Sequence, residues 1–277
     1  MGTLYIVPTP IGNLEDITLR ALRILREVRL IAAEDTRTSR VLLQHYQIDT
    51  PLTSYHEHNK LTKLDAIFEA LAVGDVALVS DAGTPGISDP GYELIREAIL
   101  RGVAVVPLPG ACAAVTALVG SGLESESFTF IGFLPRKDKA LRDLLDSLAH
   151  APGTLIAYES PHRLVDTLTA IQAAYGADRQ VAVARELSKI YEEFQRGRAA
   201  DVLAHYRAHP PRGEIVIVIA PAPPSPPALW SESEVRSALR ARLADGDSVK
   251  DAAKAVTAAS GWDRRTVYAL GIEERAL

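Results

Sequence analysis

The sequence predicts an α/β protein with mainly parallel sheets, arranged as two α/β domains followed by a small helical domain. Short apolar runs alternate with segments whose apolar residues recur at helical spacing, the pattern of a parallel sheet with covering helices. Most of these runs end in a loop rich in glycine and proline, as buried strands of open sheets do. A proline-rich stretch at 220–228 then precedes three helical segments and has the composition of a stiff linker.

The composition is that of an ordinary globular protein. The chain has 277 residues, of which 47% are hydrophobic and 23% are charged, which is sufficient for two cores. Its one cysteine, Cys112, excludes an internal disulfide and favours a reducing cytosol. The first residues lack a signal-peptide pattern and no apolar run approaches the ~20 residues of a membrane helix, so we expect a cytoplasmic protein. Because the net charge is −5, an RNA ligand would have to be held by local basic patches.

The first α/β domain is predicted over residues 1–122. Strands are predicted at 4–7, 30–33, 51–55, 76–79 and 103–106, and helices at 19–28, 38–46, 61–72, 91–101 and up to about 120. Thr18 is the predicted N-cap of the first helix, and Asp89, which precedes Pro90, is the predicted N-cap of the fourth.

The second α/β domain is predicted over residues 123–221, and the linker and helical domain over 222–277. Strands are predicted at 128–133, 154–158, 180–184, 190–196 and 214–220, with one helix ending near 174 and another at 199–208. The tail is predicted to form three short helices at 232–243, 249–259 and 263–270, with Ser231 and Ser248 as caps.

The stretch 75–91 organises the first domain. An apolar strand at 76–79 leads to Asp81 and into a loop in which Gly83 and Gly86 let a ligand approach the main chain. Ligands of open α/β sheets bind at the carboxyl ends of strands, so this loop is the candidate site. The alternative is a loop that only turns the chain, and the stretch alone does not separate the two.

Missing motifs make several ligand classes unlikely candidates for this site. The sequence has no P-loop, no dinucleotide fingerprint after the first strand and no nucleophile elbow. His56 and His58 are two residues apart and cannot share a helical face as zinc ligands do, so we expect no metal. What remains are loops at 8–13, 81–88, 108–113, 158–163 and 211–214. Their small residues leave much of the binding to backbone groups, which suits an adenosyl ligand.

These loops, in this order, resemble the tetrapyrrole methylase superfamily of class III methyltransferases, and most closely its ribosomal RNA branch. The resemblance is carried by Ser-Asp-Ala-Gly-Thr-Pro-Gly-Ile-Ser-Asp-Pro-Gly at 80–91, Ala-Glu-Asp-Thr-Arg at 33–37 and Tyr-Glu-Ser-Pro-His-Arg at 158–163. Further matching segments lie at 4–18, 54–59, 108–111, 184–189 and 213–216. Where the tetrapyrrole enzymes have a glycine-rich first loop, this chain has Pro8 and Pro10, which speaks against a tetrapyrrole substrate.

The resemblance implies an enzyme that uses S-adenosyl-L-methionine to methylate the ribose 2′-oxygen of a cytidine in 16S ribosomal RNA, near the decoding centre. It also implies a homodimer that acts on this RNA or on the small ribosomal subunit, with neither DNA nor a membrane as partner. A 2′-hydroxyl acceptor makes RNA the natural substrate. A non-catalytic RNA-binding or ribosome-assembly factor and a tetrapyrrole methylase are the alternatives.

The resemblance and the strand ends together nominate the site residues. The cofactor is expected in a cleft between the two α/β domains, along Pro10, Asp81, Ala82, Gly83, Ile87, Pro109, Ala113, Tyr158, Leu187 and Gly213. The candidates for accepting the 2′-hydroxyl proton, each of which could instead be a structural cap or ion-pair partner, are Glu34, Asp35, His56, Glu159, His162 and Glu186. Contacts to RNA phosphates are expected from Arg37, Arg40, Arg136, Lys137, Lys139, Arg163 and Lys189.

Overall fold

The computed structural model describes residues 1–56, 63–223 and 230–275, and the chain divides into two compact units, Met1–Pro221 and Ala222–Leu277. Parts of three predicted features lie outside the described residues: positions 57–59 of the 54–59 motif, the start of the predicted helix at 61–62, and the prolines within 224–227. No helix in the described ranges combines the length and apolar content needed to cross a bilayer.

The first sheet of Met1–Pro221 is parallel throughout. Its strands are β1 (Thr3–Ile6), β2 (Leu30–Ala33), β3 (Leu52–Ser54), β4 (Val76–Val79) and β5 (Ala104–Pro107), in the spatial order β3-β2-β4-β1-β5. The same part of the chain forms the helices α1 (Leu19–Glu27), α2 (Thr36–His45), α3 (Leu64–Val73), α4 (Tyr92–Leu100) and α5 (Ala113–Ser121), and a 3-10 turn at Leu14–Asp16. β4 is central and entirely buried, as its continuous apolar run predicts. Because β1 and β4 are neighbours, the loops that follow them begin side by side.

Hydrophobic cores lie on both faces of this sheet. Leu25 of α1 packs in one core with Ile31 of β2. Ile67 of α3 and Leu94 of α4 pack in the other core around Tyr55, whose side chain is fully buried. The Tyr55 hydroxyl accepts a hydrogen bond from the Leu94 backbone N–H at 3.1 Å, so it is satisfied despite its burial.

Two predicted helix caps have opposite outcomes. Thr18 caps α1 as predicted, since its Oγ1 accepts a hydrogen bond from the backbone N–H of Ala21 at 3.0 Å. The prediction that Asp89 caps α4 is wrong, because the N-cap is Gly91, and the Leu94 N–H in the first turn donates to the Tyr55 hydroxyl rather than to a capping carboxylate. Gly91 has φ +154°, a conformation open to glycine, and as the N-cap it lies two residues later than the predicted cap, so α4 begins at Tyr92. The Asp89 carboxylate is therefore available for a different role.

The second sheet has mixed pairing. Its strands are β6 (Phe128–Phe133), β7 (Thr154–Glu159), β8 (Gln180–Arg185), β9 (Glu193–Arg198) and β10 (Ile215–Ile219), in the order β6-β7-β10-β8-β9. Its helices are α6 (Asp138–Leu148), α7 (Leu164–Tyr175) and α8 (Ala199–Ala208). Only β6 and β7 pair in parallel among the described strands of this sheet, whereas β10 is antiparallel to both β7 and β8, and β8 to β9. The connection at 186–192 is too short for a crossover, so β8 and β9 form a hairpin.

The predicted fold class is confirmed over the two sheets taken together. Most of the described strand pairs are parallel, and the antiparallel pairs are confined to the second sheet. α5 connects the two halves, because its residues Ala114, Ala117 and Leu118 share a core with Ile156 of β7 and Val216 of β10. The second sheet therefore presents an apolar face towards the loops of the first.

The described part of the unit Ala222–Leu277 forms the helices α9 (Glu232–Ala244), α10 (Val249–Ser260) and α11 (Arg264–Arg275). They bury a small core that includes Leu239, Val256 and Val267. The predicted caps are confirmed: Ser231 forms a capping box with Glu234 at the start of α9, and Ser248 caps α10.

Candidate active site

The loops after β1 and β4 are joined by backbone hydrogen bonds. The Thr9 N–H donates to the Gly83 carbonyl at 2.9 Å, and the Gly83 N–H donates back to the Thr9 carbonyl at 3.0 Å. The Thr9 hydroxyl also donates to the Ser80 carbonyl at 3.0 Å. Gly83 has φ +84°, and a Cβ there would lie 3.4 Å from the Ile11 side chain, so a larger residue would strain this turn. The two loops form one continuous rim at the carboxyl edge of the first sheet.

A cavity of about 360 Å³ opens between this rim and the second sheet. Its lining consists of Ile11, 82–84, 87–89, 112–113, Phe133, 158–161, Leu187 and 213–216. The volume is in the range of small-molecule sites, which are mostly apolar with a few convergent polar groups. The apolar wall comes from residues such as Ile11, Leu187 and Val216, and the Tyr158 ring lies against the rings of Phe130 and Phe133. These surroundings fit an adenosyl group.

The structure brings most of the predicted cofactor residues to this cavity. Seven of them line it: Ala82, Gly83, Ile87, Ala113, Tyr158, Leu187 and Gly213. The other three, Pro10, Asp81 and Pro109, are not among the lining residues. Asp81 lies next to lining residue Ala82, is exposed, and accepts a hydrogen bond at Oδ1 from the Asp35 N–H at 3.0 Å. It therefore links the loops after β2 and β4.

Three carboxylates cluster at the first-sheet side of the cavity. The Asp81 N–H donates to Glu34 Oε2 at 3.3 Å, which brings together the ends of β2 and β4. Burial raises the pKa of Glu34, and the negative charges of Asp81 and Asp35 raise it further. Burial also raises the pKa of Asp81. The third member is Asp89, which lines the cavity itself.

Asp89 lines the cavity, but the sequence analysis did not nominate it as a site residue. Burial raises its pKa to about 7, and the charge of Glu34 adds to this, while a hydrogen bond with the Ser80 side chain opposes it. Across the cavity, Tyr158 has its pKa raised to about 12, mainly by burial, and the Asp89 charge contributes. A carboxyl poised near neutrality in a cavity is a functional-site signal. The sequence signal was present in the glycine loop, but the neighbouring Pro90 made Asp89 resemble a helix cap.

Glu159 and Glu186, at the second-sheet side, are held in structural hydrogen bonds. Glu159 is buried; its Oε1 accepts from the Ser160 N–H at 2.7 Å and from Arg163 at 3.1 Å, and its Oε2 accepts from the Thr167 hydroxyl at 2.6 Å. Glu186 Oε1 accepts from Lys189 Nζ at 2.8 Å and from the Glu214 N–H at 2.9 Å. The hydrogen bonds from Lys189 and Glu214 hold the pKa of Glu186 below its usual range. Among the contacts that the structure describes, these two carboxylates hold loops together.

The remaining proton-acceptor candidates lie around the same edge. Asp35 caps α2 and pairs with Arg37 at 2.6 Å, and this contact lowers the pKa of Asp35 to about 2. His56 follows β3 and is close enough to Glu34 for its charge to favour the ionised Glu34. His162 is exposed after β7.

The predicted RNA-contacting cations fall into two groups. Arg40, Arg136, Lys137 and Lys139 are exposed, and Arg37 is exposed although paired with Asp35. Arg163 and Lys189 are engaged instead in the protein. Arg163 donates to the carbonyls of Leu134 at 3.2 Å and Pro135 at 2.5 Å besides pairing with Glu159, so it positions the loop that carries Arg136 and Lys137.

The arrangement of potential ligand side chains also bears on metal binding. Within the ranges that the structure describes, no group of three or more His, Cys, Asp or Glu side chains could hold a metal ion.

Comparison with known proteins places this architecture in a family. The family described as "Tetrapyrrole (Corrin/Porphyrin) Methylases" matches residues 3–203. A protein named "Ribosomal RNA small subunit methyltransferase I" from Synechocystis sp. is 46% identical over 277 residues, which cover 100% of this chain and 99% of that protein. A protein of the same name from Halalkalibacterium halodurans is 48% identical over 271 residues, covering 96% of this chain and 93% of the relative.

Solved structures share the fold at low sequence identity. Uroporphyrin-III C-methyl transferase from Thermus thermophilus, complexed with S-adenyl homocysteine, is 20% identical, covers 79% of this chain and 97% of its own, and superposes with a TM-score of 0.57. A diphthine synthase is 15% identical, covers 79% of this chain and 90% of its own, and has a TM-score of 0.63. From the match over residues 3–203 and the relatives that are nearly half identical over their full length, this chain belongs to the tetrapyrrole methylase family.

Proposed function

We propose that this protein is an S-adenosylmethionine-dependent methyltransferase that modifies the ribose 2′-oxygen of a cytidine in small-subunit ribosomal RNA. One observation carries the proposal: a chain 46% identical over its whole length to a protein named ribosomal RNA small subunit methyltransferase I has a cavity of about 360 Å³ that fits an adenosyl group. The proposal includes 16S RNA or the small ribosomal subunit as partner, a homodimer as the active form and the cytoplasm as location.

Different parts of the cavity wall offer apolar and polar groups to the cofactor. When bound, S-adenosylmethionine supplies a methyl group that its sulfonium charge has already activated. Tyr158, Leu187 and Val216 offer apolar surfaces for the adenine, and Ala82, which is exposed and lines the cavity, offers backbone groups to polar parts of the ligand. Asp81 stands next to this backbone and is suited to pair with an ammonium group.

The 2′-hydroxyl of the ribose is a weak nucleophile, so a nearby proton acceptor accelerates its attack. Asp89 is suited to this task because it lines the cavity and its pKa is about 7, which keeps a useful fraction ionised while leaving it basic enough to take a proton. Glu34 supports it by charge, because its carboxylate raises the pKa of Asp89. Glu159 and Glu186 are less suited, since their oxygens already accept structural hydrogen bonds.

RNA is held by exposed cations beside the cavity. Phe133 lines the cavity, and the basic loop with Arg136, Lys137 and Lys139 follows it directly in the chain. Phosphate contacts fix the position of an RNA backbone, so a basic loop that begins at the cavity wall is well placed to guide a ribose towards it. Arg163 is a positioning residue here, because it binds the carbonyls at the base of this loop.

The test is a methyl-transfer assay with labelled S-adenosylmethionine and either 16S RNA or purified small subunits, followed by mapping of 2′-O-methyl groups. We expect label in a single cytidine ribose, and loss of that modification in cells that lack the gene. The proposal would be contradicted by label in a base, or by identical maps of 2′-O-methyl groups in cells with and without the gene. Calorimetry with S-adenosylmethionine distinguishes the proposed methyltransferase from a non-catalytic RNA-binding protein. The latter would bind RNA without binding the cofactor.

A further inference from the structure

We propose that a second groove, next to the cofactor cavity, binds the nucleotide adjacent to the methylated one and that Tyr191 stacks on its base. The groove has a volume of about 640 Å³ and lies between two loops: one contributes Gly12, Asn13, Leu14 and Glu15, the other the segment 188–191. His45 at the end of α2 completes it. This inference rests on the proposed function, since it requires RNA as the substrate.

The groove is continuous with the cofactor cavity along both loops. Ile11 lines the cavity and Gly12 lines the groove; in the same way, Leu187 lines the cavity and Ser188 lines the groove. The loops meet at this boundary, because a Cβ at Gly12 would lie 2.9 Å from the Leu187 carbonyl oxygen. A nucleotide whose ribose enters the cavity would therefore direct a neighbouring nucleotide into the groove.

The loop after β8 is held firmly in an unusual conformation. Glu186 and Ser188 both have positive φ angles, 52° and 64°, a strained backbone conformation for residues other than glycine. The Ser188 N–H donates to the Glu192 carboxylate at 2.8 Å, and the Lys189 N–H donates to the Glu186 carbonyl at 3.0 Å. Lys189 Nζ also bridges the carboxylates of Glu186 and Glu214. These bonds fix the direction in which the tip of the loop points.

The tip exposes two large apolar side chains to solvent. Ile190 is 95% exposed and Tyr191 is 72% exposed, and both line the groove. Folding alone gives no reason to hold a loop in a strained conformation in order to expose such residues. An unpaired base gains by stacking on an exposed aromatic ring, whatever its identity.

Charge in the groove favours a base over a phosphate. The ammonium of Lys189 is already paired with two carboxylates, and Glu15 adds a negative charge to the lining. A phosphate would find no unpaired cation among these lining residues, whereas the Asn13 amide and the His45 imidazole can exchange hydrogen bonds with a base edge. The occupant is therefore a nucleobase, with its phosphates outside the groove.

The experiment uses the full chain and short RNA fragments around the target cytidine, with 2-aminopurine placed on its 5′ or its 3′ side. Stacking on Tyr191 quenches the probe in one of the two positions. In Tyr191→Ala we expect the quenching to disappear and the KM for RNA to rise roughly 5- to 100-fold, the range of base–aromatic stacking. The KM for S-adenosylmethionine and kcat at saturation should stay within twofold. Tyr191→Phe should behave as the wild type.

Tyr268→Ala is the matched control, since it removes another exposed tyrosine, in α11, and should change neither readout. Unchanged quenching and KM in Tyr191→Ala, with a wild type that methylates the fragment, would overturn this inference and leave the proposed function intact. A wild type that quenches the probe but methylates neither the fragment nor purified small subunits would overturn the proposed function and leave only the stacking of a base on Tyr191. If Tyr191→Ala instead dissociates an oligomer in sedimentation without affecting the probe, the tip contacts a second copy and the inference is wrong.

Discussion

The two walls of the cofactor cavity carry carboxylates of opposite character. On the first-sheet side, Glu34, Asp81 and Asp89 have raised pKa values because burial and mutual repulsion disfavour their charges. On the second-sheet side, Glu159 is saturated by three donors and Glu186 has a lowered pKa because Lys189 stabilises its charge. The same residue type is therefore suited to proton transfer on one wall and holds loops together on the other.

This contrast follows from the way each wall is built. The first wall collects the ends of parallel strands, which bring carboxylates to one edge of the sheet, where burial and their mutual repulsion raise their pKa values. The second wall includes a hairpin and a strand-to-helix turn, which need side chains to satisfy their backbone groups.

The largest effect is expected from Asp89→Asn. If Asp89 accepts the proton, the substitution lowers kcat about 100-fold or more. In the wild type, kcat/KM should rise with pH through about 7 as Asp89 ionises, and this rise should be absent in the variant. Steady-state kinetics from pH 5.5 to 9 measure both.

Glu159→Gln is the matched control on the opposite wall, and it should keep the pH profile of the wild type. Should Glu159→Gln lose the pH-dependent rise while Asp89→Asn keeps it, the roles of the two walls would be reversed.

The second largest effect is on folding. Glu159→Ala leaves Arg163 and the Thr167 hydroxyl without their buried acceptor, and removing one partner of such a pair costs about 3 kcal/mol of unfolding free energy. Urea denaturation measures it.

Glu97→Ala breaks the more exposed pair with Arg101 and should cost below about 1 kcal/mol. A Glu159→Ala protein as stable as this control, but inactive, would make Glu159 a chemical rather than a structural residue.

Much of the first wall could be predicted from the sequence. The apolar run 76–79 gives a buried strand, and the glycines after it mark a ligand loop, so Ala82, Gly83 and Ile87 were nominated and line the cavity. Asp89 was missed because Asp-Pro at a helix start is also the pattern of an N-cap. Only the backbone conformation at Gly91 shows that Asp89 is not the cap of α4.

The second wall was harder to predict because its partners depend on local geometry. Glu159 and Arg163 are four residues apart, across the turn from β7 to α7. Their buried ion pair also depends on the contacts of Arg163 with the carbonyls of Leu134 and Pro135, which are distant in sequence. The hairpin at 186–192 contains non-glycine residues with positive φ, which composition does not reveal. The antiparallel pairing of β8, β9 and β10 was also missed, because composition does not reveal the hairpin that joins β8 and β9.

A smaller effect is expected on the pH dependence of stability. The pKa of Asp89 is about 7 in the folded state and near 3.8 in the unfolded chain, so the folded state binds more protons between these values. Its contribution to stability is present below about pH 4 and is lost as the pH rises to 7. Asp89→Asn lacks this loss, so it should gain about 1 kcal/mol or more over the wild type between pH 5 and 8 in urea denaturation. If the difference in unfolding free energy between Asp89→Asn and the wild type were the same at pH 5 and pH 8, Asp89 would ionise freely in the folded protein.

The smallest effect should have the opposite sign and lie on the opposite wall. The lowered pKa of Glu186 contributes stability that is present above about pH 4.5 and is lost as the pH falls through the lower, folded-state value. Lys189→Met removes the main cause of that shift, and because the pair is partly exposed the cost should stay below about 1 kcal/mol at pH 7. In acid both differences from the wild type should shrink towards zero, the cost of Lys189→Met because Glu186 becomes protonated and the gain of Asp89→Asn because Asp89 becomes protonated. Measuring both variants against the wild type in one series from pH 3 to 8 compares the walls directly. If both variants raised the free energy of unfolding at pH 7, or both lowered it, the carboxylates of the two walls would not be distinct.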